Sequence, residues 1–111
     1  MAKSLNFNNI KKQYLNVTLN DEKQTVLLIS TPTKAIFDEL TSLQDILKND
    51  ELQSDALNDL YEICAKIMSC NKTGKKITSD YISDLFDFED LLIFINTYTD
   101  FIGEITNRKN F

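Results

Sequence analysis

Four acidic side chains, Asp84, Asp87, Glu89 and Asp90, fall within seven consecutive positions, and carboxylate oxygens at that density are what Mg²⁺ and Ca²⁺ take as ligands. The same residues have a second reading. Asp87 stands just ahead of a long apolar-periodic run and Asp90 three positions further on. That is the capping-box spacing at a helix start, where the positive end of the helix dipole also favours acids. Capping is the stronger reading, because helix starts are commonly built this way. The chain has no histidine, which removes the commonest general base, nucleophile activator and zinc ligand together. Cys64 and Cys70 are the two cysteines. Six positions apart on one predicted helix, they point different ways and cannot bring their Cα atoms within the roughly 7 Å a disulfide needs. Two isolated cysteines make no zinc site either. Gly74 and Gly103 stand singly, so there is no glycine-rich phosphate loop. No catalytic, cofactor-binding or metal-ligating residue is assigned, and a non-enzymatic protein is expected.

Binding is the remaining class of chemistry. The net charge is −5, with acids spread along the chain, and nucleic-acid binders present a basic face instead. Lys72, Lys75 and Lys76 flank Gly74 and read as a solvated turn. Phe94, Tyr98 and Phe101 share the helical face of Ile95 and Ile102, so they read as core, not as a platform for bases. Neither a nucleic-acid nor a membrane partner is expected. Ile93 falls on the wheel among Glu89, Asn96 and Asp100, away from that face, and Val26 to Ile29 is apolar on both faces of a strand. Val26, Leu28 and Ile93 are therefore the candidate partner contacts.

The elements that must position these residues centre on Asp87 to Asn107. Leu91, Phe94, Ile95, Tyr98, Phe101, Ile102 and Ile105 form one stripe at helical period, the mark of a helix with a buried face. Asp87 is its N-cap, and Phe86 with Leu91 stand at the positions of a hydrophobic staple. Upstream, residues 1–13 are polar, with Leu5, Phe7 and Ile10 among Asn and Lys, a pattern that fits either an extended arm or one loose turn of helix. Leu15, Val17 and Leu19 then alternate with Asn16 and Thr18, Asn20-Asp21-Glu22-Lys23 makes a turn, and Thr25 to Ser30 is a second β-prone run; together they read as a hairpin over 14–30. Pro32, at a first helical position, opens a helix with the stripe Ile36, Leu40, Leu43, Leu47 and with Phe37 on its flank. Asp50 and Gln53 have capping-box spacing for a second helix. Its stripe is Leu57, Leu60, Cys64 and Ile67, widened by Leu52, Tyr61, Ile63 and Met68. Asn71 to Lys76 ends it, and Thr78 caps a short helix whose apolar side is Tyr81, Ile82 and Leu85, stapled by Ile77 and Ile82. A second cap at Asp87, nine positions later, forces a tight corner.

A chain of 111 residues, 42% hydrophobic with two Gly and one Pro, suits a single domain of long regular elements. The fold class that follows is α+β, mostly α: an N-terminal β-hairpin and then, over 31–111, a bundle of about four helices. No stretch reaches the ~18 apolar residues of a membrane span, and Met1 to Asn9 lacks a signal-peptide core. With reduced thiols, this predicts a cytoplasmic protein.

The order strand, turn, strand, Thr31-Pro32-Thr33-Lys34 opening a helix, then Lys75 to Tyr81, Phe86 to Leu91 and Phe94 to Ile102, resembles the small tail assembly chaperone-type proteins of long-tailed phages and prophages of Gram-positive bacteria. The resemblance covers most of the chain. It implies a non-enzymatic protein of the host bacterial cytoplasm that associates with the tape-measure protein during tail assembly and is absent from the finished virion. It also implies relatives lengthened by translational frameshifting. The family carries no functional residues to transfer, so the contacts at Val26, Leu28 and Ile93, for a helical partner or for self-association, rest on the residues alone. Two alternatives stand beside it: a structural head-tail or tail component, a type usually richer in β structure, and a small phage-encoded protein that inhibits a host factor.

Overall fold

A computed structural model describes residues 3–47 and 54–108. A two-stranded antiparallel hairpin, β1 (Leu15–Thr18) and β2 (Val26–Ile29), is followed by four helices, α1 (Lys34–Leu47), α2 (Ser54–Ser69), α3 (Ser79–Leu85) and α4 (Phe88–Arg108). Ahead of the hairpin, residues 3–14 contain only a 3₁₀ turn at Phe7–Asn9.

Strand alternation sets the hairpin's two faces. Leu15 pairs with Ile29 and Val17 with Leu27, while Asn16 pairs with Leu28 and Thr18 with Val26. Directly opposed residues share a face, so the first two pairs, with buried Leu19 beyond them, look into the core. Asn16, Thr18, Val26 and Leu28 look outward. The turn closes one residue later than its composition suggests: the Gln24 amide donates to the Asp21 carbonyl (3.1 Å) and that of Leu19 to Thr25 (2.8 Å). Gln24 takes the left-handed conformation (φ 49°), which costs a residue with a Cβ about 1 kcal/mol.

The far edge of β2 is covered. Ser30 N donates to the Cys70 carbonyl and Lys72 N to that of Leu28, both at 2.9 Å, and Ile29 bridges Asn71. Asn71 also builds the loop. Its Nδ2 donates to the carbonyls of Met68 (2.8 Å) and Lys75 (2.7 Å), while its Oδ1 accepts from Thr73 Oγ1 and the Lys75 amide, both at 2.9 Å. Gly74, at φ +74°, makes the reversal that a side chain would strain. α2 therefore ends at Ser69, and Cys70 lies just past the helix on which sequence placed both cysteines. Cys64 is buried and Cys70 half-buried, and both are free thiols.

Pro32 sits two residues ahead of the first helical position assigned to it. Thr33 occupies the cap, its carbonyl accepting from Phe37 N at 2.9 Å and its hydroxyl lying 3.4 Å from Ile36 N; proline ends the strand, but only threonine has an oxygen to offer the open turn. Leu40 and Leu43 are buried, with Ile36 and Leu47 half-buried and Phe37 exposed. The proposed Asp50–Gln53 box and Leu52 lie outside the described residues. In α2 the stripe Leu60, Cys64 and Ile67 is fully buried, flanked by Ile63 and Met68. Thr78 caps α3 through Tyr81 N (3.2 Å), and Ile77 and Ile82 are both buried, as a staple requires.

Two residues, Phe86 and Asp87, turn the chain from α3 into α4. Asp87 Oδ1 accepts from Asp90 N (2.8 Å) while Asp90 Oδ2 accepts from Asp87 N (3.1 Å), a reciprocal capping box. From there Leu91, Phe94, Ile95, Tyr98 and Phe101 enter the core. Tyr61 Oη reaches back from α2 to the Phe86 carbonyl (2.7 Å) and holds the corner against the bundle. Among the described residues no helix is long and apolar enough to cross a membrane.

Candidate docking surface

The aromatic side chains of α4 are structural. Phe94 and Tyr98 stack with centroids 6.1 Å apart, Phe101 lies 6.2 Å from Tyr98, and all three are buried. Tyr98 Oη donates to the Ser30 carbonyl at 3.0 Å, and burial holds its phenol far above the usual value. Of the four clustered carboxylates, Asp87 and Asp90 each give one oxygen to the other's amide. Among the described residues no group of three or more His, Cys, Asp or Glu side chains is arranged to hold a metal.

Ile93 is 58% exposed and Val26 54%, whereas Leu28 is half-buried. Ile93 stands at the rim of a groove of about 280 Å³ between β1 and α4. Val17, Phe86, Leu91 and Phe94 give it an apolar lining, and Asn16, Thr18, Asp90 and Thr97 a polar one. Three consecutive residues of β1 line it. Since their side chains alternate between faces, the groove runs along the strand edge that β2 does not pair. Val26 and Leu28 do not line it; they stand one strand away, as the register partners of its Thr18 and Asn16. The structure thus brings Ile93 to the hairpin, with the other two candidate residues, Val26 and Leu28, on the adjoining outer face.

Sequence reasoning missed a second groove, of about 390 Å³, between α1 and α2. It is lined by apolar Leu43, Ile46 and Ile63, by the acids Asp38, Glu39, Asp59 and Glu62, and by Lys66. Lys66 pairs with Glu39 (3.0 Å) and Lys34 with Asp38 (2.7 Å). Among the described residues no cation pairs with Asp59 or Glu62. The acids come from helices about twenty positions apart, so no local motif marks them.

The lysine loop is a turn, as its composition suggests, with one addition: Lys72 Nζ lies 5.7 Å from the centroid of the Tyr14 ring, a cation–π distance. Compared with protein-family models, with curated proteins and with solved structures, the chain finds no match in any of the three.

Proposed function

We propose that this is a non-enzymatic tail assembly chaperone-like protein that binds the phage tape-measure protein during tail assembly, in the bacterial cytoplasm. The observation that carries the reading is the β1–α4 groove, where exposed Ile93 stands over an apolar lining beside the outward Val26. Such a groove accepts an apolar side chain from a helical partner, and the neighbouring strand edge accepts main-chain pairing. Asp90, which lines the groove, serves with Asp87 as a reciprocal helix cap, which supports a structural role for these two carboxylates over a catalytic one. The sparse strand content, two four-residue strands among the described residues, favours a chaperone over a ring-forming virion component.

The test is co-expression with the tape-measure protein of a long-tailed phage of Gram-positive bacteria. The tape-measure protein should be solubilised and retained by this chain, and Ile93→Asp combined with Val26→Asp should abolish retention while leaving the circular dichroism spectrum intact. Failure of the parent chain to retain it, or retention indifferent to both substitutions, overturns the proposal. Mass spectrometry of purified particles separates the structural reading: a chaperone is missing from them, a virion component is present.

A further inference from the structure

Charge is divided unequally along this chain. The first twenty residues contain Lys3, Lys11 and Lys12 and no acid, so all 17 acidic residues lie beyond them. The same segment carries uncovered apolar side chains: Leu5 is 70% exposed and Phe7 76%, with Ile10 exposed as well. Its shape is set locally, since Asn6 Oδ1 accepts from the Asn8 amide at 3.0 Å to hold the 3₁₀ turn. An arm that presents Leu, Phe and Ile to water between lysines has the composition of a docking segment.

The α1–α2 groove is its complement. Apolar Leu43, Ile46 and Ile63 line it with four acids against the single cation Lys66, which pairs with Glu39, and Asp59 and Glu62 are free of ion pairs among the described residues. The arm of the same molecule starts from β1, which shares its groove with Met68 of α2, and at 100° per residue Met68 stands roughly 120° to 180° around the helix from Asp59, Glu62 and Lys66.

We propose that the N-terminal arm of one copy of this chain docks in the α1–α2 groove of a second copy, Leu5, Phe7 and Ile10 on the groove's apolar lining and Lys11 and Lys12 against Asp59 and Glu62. Arm and groove are different surfaces, so a two-fold pair forms when each copy lends its arm to the other. Opposed potentials set the register, and salt weakens the contact.

Sedimentation velocity of the full chain across a concentration series tests this. The parent should rise from the mass of one copy to that of two, and Phe7→Ser should weaken pairing by about tenfold or more, the equivalent of ~1.4 kcal/mol. Lys11→Glu with Lys12→Glu, and separately Asp59→Lys with Glu62→Lys, should each leave single copies where the parent pairs. Mixed in equal amounts, the two charge-reversed chains should pair again, because each arm then meets a groove of opposite sign. The substituted side chains are exposed, and those of the arm lie outside the packed body, so the arm variants keep their meaning if the groove variant fails to fold. A parent that stays single throughout, pairing that survives both reversals, or a mixture that does not pair overturns the proposal.

Discussion

Tyr81 Oη donates to Asp21 Oδ2 at 2.7 Å and so ties α3 to the hairpin turn across sixty positions of sequence. The same carboxylate accepts from Thr25 Oγ1 (2.6 Å) and from the Thr25 amide (2.8 Å). Led by the Thr25 hydroxyl, these donors hold Asp21 at about 2, below its ordinary 3.8. A depressed folded-state pKa stabilises the fold above the unfolded value and ceases to do so as pH falls through the folded one. The melting temperature should therefore drop between about pH 4 and pH 2, and Asp21→Asn should flatten that part of the profile. On the alkaline side the Asp21 hydrogen bond raises the Tyr81 phenol above its usual 10. Its contribution is complete below pH 10 and disappears as the phenol ionises, so Tyr81→Phe should remove this alkaline component.

The reciprocal Asp87–Asp90 cap gives a prediction about both stability and metal. Asp87→Ala should cost about 1 kcal/mol, the usual worth of an N-cap oxygen, read from urea unfolding with an unchanged slope. Chelator or added Mg²⁺ should leave the melting temperature of the parent where it is; an upward shift with Mg²⁺ would show that the carboxylates serve an ion instead.

Tyr98 is fully buried and hydrogen-bonded to Ser30, so its hydroxyl and its ring can be weighed separately. Tyr98→Phe should lose about 1 kcal/mol with the hydrogen bond. Tyr98→Ala should lose roughly 3–5 kcal/mol through the cavity. Equal losses from the two substitutions would mean that the ring contributes little.

The two thiols should differ in reactivity. Burial pushes Cys64 up to about 12, which denies it the thiolate that alkylation requires. Mass spectrometry after timed alkylation should show Cys70 labelled first, with Cys64 labelled only as fast as the molecule opens globally.

α4 was legible because its signals agree: seven apolar residues at helical period, a staple, and two aspartates at box spacing all specify one start and one buried face. The inward side of the hairpin was legible from strict alternation. Tyr81 was not, because the helical wheel sees an aromatic beside Ile82 and Leu85, whereas its phenol is held by a carboxylate sixty positions away. The end of α2 was misjudged for a related reason. Periodicity would carry the helix through Cys70, but Asn71 diverts the chain by bonding Met68 and Lys75 at once. Of the surface, Ile93 could be found by its polar wheel neighbours, while the acidic groove exists only once α1 and α2 lie side by side.

The bridge between Ile29 and Asn71 spans 42 positions and has a consequence for synthesis from the N-terminus. A two-stranded hairpin alone is marginal in water, and Leu27 and Ile29 acquire their apolar cover from helices translated after them. Until the ribosome has released the chain past Asn71, β2 is a short, uncharged, hydrophobic segment with an unprotected edge. Newly made molecules are most exposed to mispairing in that interval, and it closes when the α2 terminus is laid against the strand.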